Sequence, residues 1–335
     1  MNQIAGVIAY PDMDAGGMRS AIGRLQHRLV TTGDPQDTGQ LLELMRCLYA
    51  VGRVDLPLGR LFEGHVDALQ IVQRYGAPEL ADSVRQNCVL GVWNADLPGD
   101  PLRLADGRLT GGKGFASGAG ILTHALVTAD GDEGRHLLLL DLAHSPPEID
   151  RSWWDVVGMQ RSETHIVRWR GAPILADRQV GVAGDYAREP WFSGGALRFV
   201  AVQAGGVAAL FDRVRDHLVA TARADDPHQV VRLARLFALA EQAAGAVGGA
   251  ARRWFAEGND IRLPRIAAAR MQVADLAEQA IGIAQQAVGA QGMFKSHPLS
   301  ATLTDLMVYL RQPAPDAQRM RVGRAAADGL LVPEL

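Results

Sequence analysis

The stretch 111–120, GGKGFASGAG, sets a lysine, an aromatic ring and a hydroxyl among five glycines, in a chain of 335 residues that has only two lysines. Glycines lack a Cβ and let the backbone approach a ligand closely, so this segment could cradle a phosphate, turn the chain or line a cofactor. The phosphate reading fails on spacing. Neither GxxxxGK[ST] nor GxGxxG is present, and no helix is expected to start where a phosphate loop needs one. Cys47 and Cys88 sit in apolar helical surroundings and read as isolated buried thiols of a reducing compartment. No CxxC, HExxH or His/Cys cluster has metal-ligand spacing, so no metal is expected.

The elements that must position this segment follow from periodicity. Residues 17–85 space their apolar positions three and four apart, with Asp37 and Thr38 as a cap and Gly76 as a stop, which predicts at least three helices. From about 88, short apolar runs such as HALVTAD, HLLLLDLA and THIVRWRGAPI alternate with turn signals such as LPGD, ADG and GDEG, the pattern of strands. After about 190 come four long apolar-periodic segments, 194–222, 227–256, 263–290 and 298–310, the last broken by Pro313 and Pro315. Their alanine and glycine content permits close helix packing in a bundle. The expected class is α+β, mainly α: an N-terminal helical domain (1–86), a middle β-barrel or sandwich (87–190) and a C-terminal four-helix bundle (191–335). This order excludes an alternating βαβ nucleotide fold.

Composition narrows the partners. Hydrophobic residues make up 48% of the chain, enough for a sizeable core, and the net charge of −3 comes with scattered basic residues lacking aromatic interleaving, so nucleic acid is not an expected partner. Apolar runs such as FVAVQAGGVAALF fall short of the ~20 residues that cross a bilayer, and the N-terminus lacks a basic-then-apolar signal. A cytoplasmic protein without membrane contact is expected.

Three longer motifs carry a resemblance. GVWNADLPGDPLRLADGRLTGGKGFASGAG resembles the middle domain of the acyl-coenzyme A dehydrogenase family; WWDVVGMQRSETHIVRWRGAPI is similar to its Gly-Met-Arg-Ser-Thr strand; and QQAVGAQGMFKSHPLSATLTDLMVYL is similar to its Gln-x-x-Gly-x-x-Gly-Phe segment. The resemblance runs in the family's order from about 40 to 325. The resemblance implies flavin adenine dinucleotide (FAD) as cofactor. Phe115 would give the ring an aromatic face, Ser117 a hydroxyl and an amide, and Gly112, Gly114 and Gly118 clearance, while Leu90 to Trp93 would line the other side. Trp93 stands where the family usually has a small hydroxyl residue. Gln286, Gly289 and Gly292 match the segment that meets the adenosine diphosphate of a neighbouring subunit's flavin, which implies a homodimer or homotetramer.

The chemistry departs from the family at the base. Oxidation of an acyl thioester needs a carboxylate for the proton beside the carbonyl. The family's usual position holds Gln312, and the alternative position on the first bundle helix holds Leu197, beside Arg198. An Arg-x-x-Phe-Gly segment is also missing, and the LPGD loop lacks a substrate-touching serine. The first expectation is an FAD-dependent acyl-thioester oxidoreductase with a relocated base, for which Glu63, His65, Asp305 and Asp316 are candidates. The second is a flavin-dependent monooxygenase of the same fold, with Ser117 and His65 as donors, since EGH at 63–65 resembles a GYH segment of that branch. The third is a catalytically degenerate partner of an active paralogue. His165 and His297 are expected at the surface, Arg161 and Glu163 in a solvated turn, and Trp153 and Trp154 in core packing.

Overall fold

Asp55 joins the two longest N-terminal helices. Its N–H closes one of them on the Val51 carbonyl, and its carboxylate caps the next by accepting from the Leu58 amide at 2.9 Å. The structure, a computed structural model, describes residues 14–28, 33–84 and 88–333. Four helices come first: α1 (Ala15–Arg28), α2 (Thr38–Val54), α3 (Leu56–Tyr75) and the short α4 (Pro78–Ser83). Asp37 caps α2 as expected, accepting from the Gln40 amide at 2.8 Å. The expected boundary at 86/87 lies outside the described residues.

Seven strands follow: β1 (Leu90–Trp93), β2 (Arg103–Ala105), β3 (Arg108–Ala116), β4 (His124–Gly131), β5 (Gly134–Asp141), β6 (Glu148–Asp150) and β7 (His165–Pro173). They form one mixed sheet in the order β1-β4-β2-β3-β7-β6, with β5 also paired to β4. Lys113 of β3 is fully buried, and three oxygens hold its ammonium: Asp96 Oδ1 (2.6 Å), Thr128 Oγ1 (2.9 Å) and the Asn94 carbonyl (3.4 Å). Burial pushes this lysine below its usual range against the pull of Asp96. The lysine of the opening motif therefore fastens β3 to the β1–β2 connection.

The β3–β7 ladder contains the feature that matters for the site. Lys113 pairs with Val167 and Ala116 with His165, so three steps on β3 face two on β7. The extra residue is a β-bulge, and within it Phe115 adopts a left-handed backbone with φ of 51°. A bulky residue rarely takes that conformation.

The C-terminal part runs α5 (Trp191–Gly194), α6 (Ala196–Ala220), α7 (Pro227–Arg253), α8 (Asn259–Val288), α9 (Pro298–Tyr309) and α10 (Pro315–Ala327). The last is absent from the four expected segments. Pro315, read there as a breaker, sits in the first helical turn of α10, where its missing N–H leaves no bond unmade. The span Trp191–Ala220 is long enough to cross a membrane and contains an 18-residue window apolar enough to do so, with a mean hydropathy of 1.4, although the run at 199–211 had read as too short. In the fold, 72% of that window is buried and α6 is the core helix of the bundle. It crosses α2 with backbones in contact: a Cβ on Gly52 or Gly205 would overlap the Val202 or Tyr49 carbonyl.

Candidate functional site

The bulge turns the Phe115 ring outward, and it remains 60% exposed. The Trp153 ring meets it edge-on at 4.8 Å between centroids, and Trp154 stacks on Trp153 at 5.9 Å. Trp154 packs against the core as expected, while Trp153, 37% exposed, extends an aromatic wall beside Phe115. Two residues on, Ser117 is half-buried and framed from behind. Trp93 Nε1 donates to its carbonyl at 2.9 Å, and Thr164 Oγ1 donates to its hydroxyl oxygen at 3.0 Å.

Thr164 is one link in a string. Its hydroxyl lies 2.8 Å from Ser162 Oγ, which lies 2.7 Å from the Met159 carbonyl, and the Met159 N–H donates to Asp305 Oδ1 on α9. Ser162 and Thr164 are buried. Because Ser117 accepts from Thr164, its own proton is left to donate outward. Burial raises the Asp305 carboxyl to about 6, opposed by the Met159 amide. The loop carrying this string touches α9 directly, since a Cβ on Gly158 would overlap the Thr304 backbone.

Other residues of interest flank the wall. His165 is buried, contrary to the surface position expected; Nε2 lies 3.1 Å from Glu163 Oε2, and Nδ1 is buried without a partner. Glu163 also pairs with Arg151, and Arg161 with Asp55 at 2.6 Å, so the turn expected to be solvated clasps the start of α3. His297 caps α9 through the Leu299 amide and meets His217 Nδ1 at 3.1 Å.

A second polar group lies between α3, α6 and α9. Glu63 pairs with Arg60 and accepts from the Tyr309 hydroxyl at 3.4 Å. The Tyr309 carbonyl accepts the Gln203 and Gln312 amides, each at 2.9 Å. Glu63 and Gln312 are thus brought to opposite ends of one tyrosine. Burial raises the Glu63 carboxyl against the pull of Arg60, and burial with Glu63 nearby holds the Tyr309 phenol well above its usual range. Nearby, Arg198 pairs with Asp67 and donates to Gln70 at 2.7 Å.

Several expected site residues take other positions. His65 is fully buried, its Nδ1 accepts from the Leu90 amide and its Nε2 meets Gln26 Oε1, both at 3.1 Å. With both ring nitrogens engaged, and with burial lowering its pKa to about 3, it stays neutral and ties α3 to β1. Leu90 and Trp93 are 0% and 1% exposed, so neither offers surface to a ligand; they support Ser117 and the sheet from within. Leu197 is buried, and Asp316 is exposed and pairs with Arg319. Gln286 and Gly289 are exposed at the end of α8, while Gly292 is buried against Leu299 and Val288, so this segment packs on α9. Sequence reading missed Thr164, Ser162 and Tyr309, whose roles arise from contacts across distant parts of the chain.

The architecture superposes on solved proteins along nearly all its length. The dibenzothiophene monooxygenase of Paenibacillus sp. A11-2 matches with a TM-score of 0.79 at 16% identity, over 98% of this chain and 95% of that one. Butyryl-CoA dehydrogenase of Megasphaera elsdenii matches with 0.78 at 16% identity, over 94% and 90%. The chain has the acyl-CoA dehydrogenase fold. The 3-HSA hydroxylase of Rhodococcus sp. RHA1 shares this fold with a TM-score of 0.74 at 16% identity, over 99% and 94%. No family model and no curated protein matches the sequence. Within the acyl-CoA dehydrogenase fold, identities this low fix the architecture and leave the chemistry to the site.

Proposed function

We propose that the chain is a flavin-dependent monooxygenase acting on a small molecule. The observation that carries this reading is Phe115: an exposed ring, held at positive φ on a bulge, two residues before a serine hydroxyl whose proton is free to donate. Strain at an exposed aromatic marks a position kept for a ligand. The residues fit a flavin: Phe115 and Trp153 give an apolar wall, Ser117 a donor, and the unpartnered His165 Nδ1 a further polar atom one strand away. When bound, the flavin would supply two-electron redox chemistry, and the chain's own part is to hold and orient it.

Oxygenation is favoured over removal of an α-proton because Leu197 and Gln312 occupy both positions where the resemblance implies a carboxylate base. Glu63 is engaged by Arg60 and Tyr309. The neighbours include a monooxygenase solved with FMN and indole, which supports flavin chemistry on a compact aromatic substrate. The second reading is oxidation of an acyl thioester; the match to butyryl-CoA dehydrogenase supports it, and Asp305, at about 6, is its base. FAD is the cofactor proposed, its adenosine half meeting the exposed Gln286 and Gly289 of a partner copy. A homodimer or homotetramer is supported by the exposed Val230, Val231, Phe237, Met293 and Phe294 on the bundle.

The test is reconstitution. The purified chain, titrated with FAD and with FMN, should quench flavin fluorescence at one flavin per chain, with Ser117→Ala shifting the bound spectrum. Uptake of neither flavin sinks the proposal. Uptake of FMN alone removes Gln286 and Gly289 from the site. Bleaching of the bound flavin by an acyl thioester without oxygen replaces oxygenation with the second reading.

A further inference from the structure

Arg270 of α8 lines a cavity between α6, α8, α9 and the turn into α10, together with Gln203, Gln312, Gln318 and Arg319. The cavity is small, about 40 Å³, and open to solvent. The Arg270 guanidinium is half-buried, lies over the Phe199 ring at 5.4 Å and donates to the Pro313 carbonyl.

Arg270 lines this cavity without a counter-charge. Several other partly buried arginines of the helices have carboxylate partners: Arg53 with Asp212, Arg74 with Asp34, Arg198 with Asp67 and Arg265 with Glu257. Among the described residues, no carboxylate pairs with Arg270. The acids on the adjoining faces are engaged elsewhere, Asp275 and Asp316 by Arg319 and Glu278 by Arg311. Burial alone acts on the Arg270 pKa and lowers it, whereas the Asp212 hydrogen bond raises that of Arg53. A desolvated cation without an acid is costly and attracts an anion from solution. Gln312 sharpens the case: a glutamate there would place a negative charge in the same cavity, and the amide leaves the cavity positive.

We propose that this cavity binds the anionic group, carboxylate or phosphate, of a small ligand, with Arg270 as the anchor and the glutamine amides as flanking donors. An arginine fork suits either oxyanion, and a charge-assisted bond in a partly dry site is among the stronger polar contacts. The cavity is formed by residues of this chain alone, so anion binding can be tested with or without cofactor.

The test is calorimetric titration of the purified full-length chain with benzoate, inorganic phosphate and neutral benzamide. One of the anions should bind at one per chain, benzamide should not, and the responding arm tells carboxylate from phosphate. Arg270→Gln should weaken binding by about tenfold or more, and Arg270→Lys should retain part of it. Gln318→Glu, which adds a negative wall without disturbing Arg270, should weaken it similarly and decides the matter if Arg270→Gln does not fold. The proposal is overturned if neither anion binds the unaltered chain, or if affinity is unchanged in the folded variants.

Discussion

Two polar groups lie near the junction of strands and bundle, and they are built in opposite ways. Around Glu63 the partners close on one another: Arg60 and Tyr309 hold the carboxylate, and Gln203 and Gln312 hold the Tyr309 carbonyl. Around Ser117 a line of contacts leads from Asp305 through the 159–164 loop to a hydroxyl that accepts from Thr164 and still has a proton to give, beside an exposed ring. Satisfied buried networks fix helices in place, whereas a supported group with a remaining valence is ready for a ligand. The difference teaches where to look for chemistry: in the partnered support of an incompletely partnered atom, and not simply where charges are densest.

Mutations can break this contrast. The largest effect should come from Glu63→Ala, which leaves Arg60 and the Tyr309 hydroxyl without their partner and should cost about 3 kcal/mol of stability, read from the urea midpoint. A loss as small as that of a surface substitution would show that the closed network does not hold the helices. Next is His65→Leu, which strands the Leu90 amide and should cost about 2 kcal/mol in the same measurement.

The pH dependence sharpens the same point. His65 falls to about 3 in the fold from 6.5, so between those values the unfolded chain binds a proton that the folded chain does not, and stability drops as pH falls, by up to about 1.4 kcal/mol per unit. Asp305 rises from 3.8 to about 6, so across that range the folded chain keeps a proton the unfolded one loses, and stability grows as pH falls. The two slopes oppose each other. Asp305→Asn should therefore make the protein more acid-sensitive between about 4 and 6, read from urea midpoints at stepped pH. An unchanged slope would place Asp305 in water.

Smaller stability effects belong to the open side, where binding should change more than folding. Thr164→Val, close in shape, should cost about 1 kcal/mol and weaken flavin uptake roughly fivefold, read by fluorescence titration. Phe115→Gly should leave stability within about 0.5 kcal/mol, because relief of the left-handed backbone offsets the lost ring contact, while flavin uptake falls. Equal losses of folding and binding for Phe115→Gly would make the ring an ordinary packing residue.

Much of the architecture could be read from residue periodicity, including the helix, strand and helix succession and the cap at Asp37. The α10 helix was lost because prolines at 313 and 315 look like breakers until one of them is seen to begin a helix. At the site, resemblance located residues along the chain but not the direction of their side chains. β1 is buried on nearly every position, so no alternation told which of Leu90 and Trp93 could face out. The bulge at Phe115 depends on its register with β7, some fifty positions later, and the serine string joins residues 117, 162 and 164 only after that register is set. Arg270 reads as one more arginine in an alanine-rich helix until the Gln312 turn folds over it.

The contact between Gly158 and α9 gives the 151–163 loop no slack. Because main chain rests on main chain there, a slide or tilt of α9 has no side chain to absorb it and must carry the Met159 peptide along. A side chain placed at Gly158 would therefore have to part the loop from the helix and lift the Met159 amide off Asp305.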